Sequence, residues 1–209
     1  MPRTFPFILP AIPLPRATPP SGREWLHEVK FDGYRAQLHK WGEEVALLSK
    51  NGKHLVGRFT AIKKAIQTLP ARNLIIDAEL IACNDQGLPD FRALHSKRSD
   101  ARLCICAFDI LQCDDQDLRS LPLVARRVKL GTLLKKQQTP LLHFSDSFSD
   151  PDKLLAACNE QGLEGIVSKK KDAPYTSGNR SGWIKVKCSQ WKEANKDRGV
   201  LFGEMREKA

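Results

Sequence analysis

The sequence predicts an α+β fold: antiparallel sheets carrying a few flanking helices, built as one continuous domain. Three observations lead there. Residues 24–49 read as successive β runs separated by short turns, and Asn51-Gly52 follows them as a strong hairpin signal. Two further strand-like runs, 73–83 and 103–111, are almost wholly apolar. Helical periodicity is confined to short segments between and after these runs.

The elements follow in order. Residues 1–22 hold Pro2, Pro6, Pro10, Pro13, Pro15, Pro19 and Pro20. Proline donates no amide hydrogen bond, so this is an extended leader laid over the domain rather than a folded unit. The folded domain covers 23–189. Trp25 to Lys30 is one β run, Tyr34 to Trp41 alternates apolar and polar residues, Gly42-Glu43 is a turn, and Glu44 to Ser49 returns. This is an antiparallel meander. From Arg58 to Leu69 the residues Phe59, Ile62 and Ile66 share one helical face, and Pro70 stops the helix. Asn73 to Cys83 is a strand ended by a turn at Asn84-Asp85-Gln86-Gly87, and Leu103 to Leu111 is apolar except for Asp109. Pro122 opens a basic helix to about Lys136, Leu141 to Phe144 is a short strand, and Asp150 with Pro151 starts a helix that Gly162 ends. Gly165 to Lys169 and Trp183 to Lys187 are strands around a loop at 170–182. The charged tail, 190–209, is predicted to be a helix anchored by Trp191, Ala194 and Phe202.

Composition narrows the function. The 209 residues are 41% hydrophobic, enough for a real core, and no apolar run approaches the roughly 18 residues of a membrane span. Met1 to Pro6 lacks the apolar core of a secretory signal. Six scattered cysteines without a C-x-x-C pair read as reduced thiols of a cytoplasmic protein, with no zinc site. The net charge of +10 suits a polyanionic partner such as nucleic acid or a nucleotide, and equally a merely soluble basic protein.

Charge set into strands is more telling. In Glu28-Val29-Lys30-Phe31-Asp32-Gly33-Tyr34-Arg35, a lysine closes a strand two residues before an acid. A neutral lysine amine is a nucleophile; a bare K-x-D-G also suits an edge-strand lysine before a turn. Asp77 and Glu79 are two apart, so both face one side of their strand. Lys185 and Lys187 likewise share a face, and Glu164 precedes the strand at Gly165. A sheet face bearing Lys30, Glu79, Glu164, Lys185 and Lys187 would be a mixed-charge pocket for a nucleoside triphosphate, with cations for phosphates and acids for a metal ion and ribose hydroxyls. No G-x-x-x-x-G-K-[ST] or G-x-G-x-x-G occurs, so the site is neither a P-loop nor a Rossmann site.

These segments resemble, in order, the motifs of covalent nucleotidyltransferases. Lys30 to Arg35 resembles K-x-D-G-x-R, Asp77-Ala78-Glu79-Leu80 the D-G-E-L element, and Phe108-Asp109-Ile110-Leu111 the F-D-x-L element. Glu164 to Lys169 resembles E-G-[IV]-V-x-K, and Trp183 to Lys187 resembles W-x-K-x-K. The wording around Trp25 to Arg35 and Tyr175 to Lys187 is most similar to ATP-dependent DNA ligases of the bacterial end-joining type. The resemblance implies an ATP-grasp-like adenylation domain over 23–189, using ATP and magnesium (Mg2+). Lys30 would attack the α-phosphate and carry AMP. Lys185 and Lys187 would neutralise that phosphate and lower the Lys30 pKa. Arg35 and Glu79 would hold the ribose and the DNA end, Phe108 would stack on adenine, and Glu28 would lie beside its amino group. Glu164, with Asp32, would serve the magnesium ion. The AMP would pass to a 5′-phosphate at a DNA nick or break, which a 3′-hydroxyl then seals in repair.

Three departures stand out. Ser49-Lys50-Asn51-Gly52 resembles S-R-N-G, with Lys50 keeping the charge but losing arginine's fork. Ala78 replaces the glycine of D-G-E-L. The stretch after Lys187 is too short for the OB-fold domain usual in these ligases, so no OB-fold is expected: the chain is a minimal adenylation domain, or acts with a separate DNA-binding or end-joining partner protein, or is a fragment. From Lys169 to Lys187 six basic residues stand against one acid, and Lys170, Lys171 and Arg180 are the candidate DNA-phosphate contacts. Two alternatives stay open: ligation of RNA ends, and a non-catalytic DNA-end-binding module.

Overall fold

A computed structural model describes residues 6–55, 59–84, 89–90, 93–94, 102–136 and 139–196. Ten strands are named in chain order: β1 (Leu14–Pro15), β2 (Trp25–Lys30), β3 (Tyr34–Trp41), β4 (Glu44–Ser49), β5 (Asn73–Cys83), β6 (Arg102–Cys113), β7 (Gln116–Asp117), β8 (Leu142–Phe144), β9 (Gly165–Lys170) and β10 (Trp183–Lys187). The helices are α1 (Thr60–Gln67), α2 (Leu123–Lys135), α3 (Pro151–Glu160) and α4 (Ser189–Ala194).

The strands form two sheets. The smaller has the order β1-β10-β9-β2; the larger has β4-β3-β5-β6-β7, with β8 parallel beside β6. The meander β2-β3-β4 is therefore divided. β2 pairs with β9 in the small sheet, while β3 pairs with β4 and β5 in the large one. Phe31-Asp32-Gly33 is the crossover between sheets. Gly33 is needed there, because a Cβ would stand 2.2 Å from the Leu80 carbonyl oxygen and 2.8 Å from Ile81 Cγ2. Asn51-Gly52 does turn the chain: Gly52 takes φ +75°, and Leu48 bridges back to His54.

Burial explains the helices. α1 seats Ile62, Ala65 and Ile66, and α2 seats Leu130, Leu133 and Leu134, in the main core with Leu38, Leu47, Ile76 and Ile110 of the large sheet. α3, capped by the Asp150 carboxylate accepting from Lys153 N, packs Leu154 and Cys158 against Ile166 and Val186 of the small sheet. The buried Lys40 ammonium donates to the Gln67 and Leu69 carbonyls and so closes the C-terminal end of α1.

The sheets meet through Ile75, Phe108, Leu111, Tyr175, Trp183 and Ala11. Two register shifts between β5 and β6 build this contact. Asp77 pairs with Asp109 and Ala78 with Ala107, leaving Phe108 as an extra residue; Ile75 pairs with Gln112 and Ile76 with Ile110, leaving Leu111. Such bulges re-aim side chains, and both extra residues enter the inter-sheet cluster.

The leader is extended, and it is also part of the fold. β1 runs parallel to β10, Ala11 is buried, and Gln37 exchanges hydrogen bonds with the backbone of Ile8. The tail predicted as a helix over 190–209 is helical only at α4, Ser189–Ala194, among the described residues; residues 197–209 lie outside the described residues, as do Arg58 and the turn residues Asp85 to Gly87.

Candidate active site

Between the two sheets lies a cavity of about 350 Å³. The small sheet contributes Glu28, Lys30, Val167, Lys169, Trp183 and Lys185; the large sheet contributes Arg35, Glu79 and Phe108; Pro10 to Pro13 of the leader and Lys50 complete the wall. The predicted charged face thus comes from two sheets. Glu79 approaches from β5, opposite the lysines of β2 and β10.

Its centre is a chain of charges. Gly165 of β9 pairs with Lys30 on one side and Lys187 on the other. It takes φ +147°, and a Cβ would fall 2.0 Å from the Val186 carbonyl oxygen. Only glycine lets these three strands close so tightly. Glu164, the preceding residue, is thereby held between two amines: Lys30 Nζ donates to Oε2 at 2.6 Å, and Lys187 Nζ lies 2.9 Å from Oε1. Lys185 lines the same cavity. Burial, then the nearby Lys30 and Lys187 ammoniums, push its pKa down. Glu79 is pushed up to about 7, mainly by burial, with Lys30 and Arg35 opposing and Glu164 and Asp77 adding to the rise.

Arg35 is fixed by a bidentate pair with buried Asp77, at 2.6 and 2.7 Å. Asp77 also accepts from the Tyr175 hydroxyl at 2.6 Å, and that hydroxyl accepts from Ala11 N. Asp77 and Asp109 face each other across the bulge, and each has its own arginine: Arg126 clasps Asp109 at 2.8 and 2.9 Å, with both partners fully buried. The Arg35 guanidinium lies 4.6 Å from the Phe108 ring centroid, and the Phe108 and Trp183 rings meet edge to face at 6.0 Å.

Glu28 is only 2% exposed. It accepts from Arg127 Nη1 at 2.8 Å and from Ser145 Oγ at 3.0 Å, and Lys169 Nζ stands 2.9 Å away. Lys169, also 2% exposed, sits over Phe108 and Trp183 at 4.4 and 4.2 Å. Burial, opposed by Glu28, lowers its pKa. The ion pair with Glu28 uses one of the three ammonium donors, so the others stay available beside the cavity.

The remaining predicted residues are dispersed. Asp32 Oδ2 accepts from Trp191 Nε1 at 3.3 Å, outside the cavity lining. Lys170 is exposed with its amine 5.6 Å from the Trp25 ring centroid, Lys171 Nζ donates to the Arg23 carbonyl at 2.6 Å, and Arg180 is exposed. Lys169, counted in the same basic stretch, is buried at the cavity instead. The sequence reading did not single out Lys169, Arg127 or Ala11 as site residues. The lysine ending E-G-I-V-S-K is a local signal for the first; Arg127 meets its partner Glu28 on a distant element, and nothing local marks the third.

Among the described residues no group of three or more His, Cys, Asp or Glu side chains could hold a metal by itself. A magnesium ion is held by one or two carboxylates plus substrate phosphates, and Glu164 and Glu79 beside a cationic cavity fit that donor set. No described helix is long and apolar enough to cross a membrane.

Comparison with known proteins gives consistent matches. Residues 17–187 match the family model described as ATP dependent DNA ligase domain. The multifunctional non-homologous end joining protein LigD of Pseudomonas aeruginosa is 35% identical over 174 residues, covering 81% of this chain and 21% of that protein. A probable DNA ligase of Beutenbergia cavernae is 34% identical over 170 residues, covering 77% of this chain and 33% of that one. The chain thus spans a third or less of these relatives. Among solved structures, the ligase domain of M. tuberculosis LigD aligns with TM-score 0.73 at 25% identity, over 85% of this chain and 60% of that one. A mycobacterial DNA ligase D complexed with ATP and MES shares the fold, with TM-score 0.70 at 24% identity over 84% of this chain and 60% of that one.

Proposed function

The chain belongs to the ATP-dependent DNA ligase domain family, and from that premise we propose that it adenylates itself on Lys30 and passes the AMP to the 5′-phosphate of a broken DNA strand. The observation that carries this reading is the Lys30–Glu164–Lys187 chain at the cavity, 2.6 and 2.9 Å end to end.

The Lys30 ammonium passes a proton to its hydrogen-bond partner Glu164 Oε2, and the neutral amine attacks the α-phosphorus of ATP. The new bond is N–P; the bond from that phosphorus to the bridging oxygen breaks, and pyrophosphate leaves with the electron pair. Negative charge gathers on the phosphoryl oxygens, where fixed cations act most strongly in a site shielded from water. Lys185 and Lys187 supply them. Glu164, holding Lys30 from one side, keeps the amine pointed at the phosphate. Glu164 with Glu79 would hold a magnesium ion arriving with the triphosphate, which would supply charge to neutralise phosphate oxygens. Lys50 adds charge at the wall.

The base enters between Phe108 and Val167. Glu28 offers an acceptor and Lys169 a donor, which match adenine's amino group and the ring nitrogen beside it. Guanine presents the reverse order at that edge and would set an oxygen against the carboxylate. Glu79 faces the ribose, and Arg35, clamped by Asp77, supports Phe108 from its ring face. Lys170, Lys171 and Arg180 follow the DNA phosphates outside. The AMP-bearing DNA end is then sealed by a 3′-hydroxyl, with a separate end-joining protein as the natural partner.

Incubation with ATP labelled in the adenylate, followed by denaturing electrophoresis, tests the reading. Wild type should retain label, Lys30→Ala should not, and the label should move to nicked DNA in preference to nicked RNA. Equal labelling of wild type and Lys30→Ala would contradict it.

A further inference from the structure

Helix α2 carries two consecutive buried arginines with different destinations. Arg126 balances Asp109 within the core. Arg127 does something else: its guanidinium joins two residues of the cavity wall, Glu28 and Phe108, to Ser145 behind them. Nη1 donates to Glu28 Oε1 at 2.8 Å and to the Phe108 carbonyl at 3.3 Å, and Nη2 donates to the Ser145 carbonyl at 2.6 Å. The Ser145 hydroxyl donates to the other Glu28 oxygen at 3.0 Å. The same guanidinium rests 4.5 Å from the Phe144 ring centroid, which closes its outer face.

We propose that Arg127, together with Ser145, is a positioning residue that sets which base the cavity accepts, acting through Glu28. The proposal rests on the nucleotide reading given above. A carboxylate has about four acceptor directions. On Glu28, Arg127 and Lys169 occupy Oε1 and Ser145 occupies one side of Oε2. What remains is a single acceptor direction on Oε2, beside the unspent donors of Lys169. A solitary acceptor next to a donor reads one base edge; a rotated carboxylate would read another. Arg127 also ties the backbone of Phe108, the stacking ring, to that acceptor, so the ring and the polar edge keep one spacing. Lysine cannot replace this, since it lacks the planar fork that reaches all three oxygens.

Full-chain Arg127→Lys, Arg127→Met and Ser145→Ala variants test the idea, with self-adenylation measured on ATP and on inosine triphosphate. Inosine triphosphate carries an oxygen where ATP carries the amino group. We expect kcat/KM for ATP relative to inosine triphosphate to fall roughly 10- to 100-fold in Arg127→Lys and several-fold in Ser145→Ala, chiefly through KM for ATP. Circular dichroism and thermal melting establish that each variant is folded. Should Arg127→Met not fold, Arg127→Lys and Ser145→Ala decide. Folded variants that keep the wild-type ratio, or that lose kcat on both nucleotides alike, overturn the proposal and leave the nucleotide reading standing. A wild type that takes a nucleoside monophosphate from neither triphosphate overturns the nucleotide reading and this proposal with it.

Discussion

Glu164 and Glu79 meet the cations of the site differently. Glu164 is held between Lys30 and Lys187, one amine on each oxygen. Glu79 lies across the cavity, where burial pushes it up to about 7 from an ordinary 4.5. The folded protein therefore holds a proton on Glu79 that the unfolded chain has already released. Between pH 4.5 and 7 this group makes stability fall as pH rises, and above 7 the ionised carboxylate destabilises the free protein. Allowing for screening at the cavity mouth, the cost is about 1–2 kcal/mol. Glu79→Gln should raise Tm by about 3–6 °C at pH 8 and leave it unchanged at pH 4, while lowering self-adenylation. An equal Tm for the two proteins at pH 8 would show that the free site does not strain this carboxylate. Asp77, more deeply buried on the same strand, accepts from Arg35 and from the Tyr175 hydroxyl.

At the scale of elements, the site is made where strands change partners. β2 ends at Lys30, the crossover at Gly33 sends the chain to the other sheet, and Gly165 lets β2, β9 and β10 converge on Glu164. Gly165→Ala should destabilise the protein by about 2–4 kcal/mol, from the strained φ and the clash with the Val186 carbonyl. It should also lower self-adenylation by more than the loss of folded protein accounts for. Chemical denaturation beside an activity titration separates the two; wild-type stability and activity would contradict the assigned role of the glycine. The strands themselves were legible, because alternation and apolar runs mark β3, β4, β5 and β10 nearly to the residue. Their allocation to two sheets was not. Periodicity reports which face of a strand a side chain takes, and says nothing about which sheet the strand joins. Hence Glu79 was read beside Lys30 instead of across from it. The bulges at Phe108 and Leu111 were equally hidden, since they arise from pairing with β5. Arg127 was hidden for a related reason: its partner Glu28 lies on another element, 99 residues away in sequence.

Across the whole molecule, the +10 charge divides between inside and outside. Lys30, Lys169 and Lys185 line the cavity, and Lys187 joins them through Glu164. Half of the basic residues in 169–187 are thereby turned toward the cavity and Glu164, while Lys170, Lys171 and Arg180 lie outside it. If each meets one phosphate, replacing all three by alanine should reduce the slope of log affinity against log salt on nicked duplex DNA by about 2 to 3. An unchanged slope would place the DNA elsewhere on the surface. The leader belongs to this scale too: β1 and Ala11 bind the small sheet to the Tyr175–Asp77–Arg35 chain and wall the cavity at once.

Covalent capture of AMP by one amine is read directly by intact-mass measurement after incubation with ATP and magnesium, followed by peptide mapping. A gain of one AMP is expected, located on the peptide containing Lys30 and absent from Lys30→Ala. An adduct mapped to Lys169, Lys185 or Lys187, or a wild-type chain that gains no mass under conditions where it binds ATP, would contradict it.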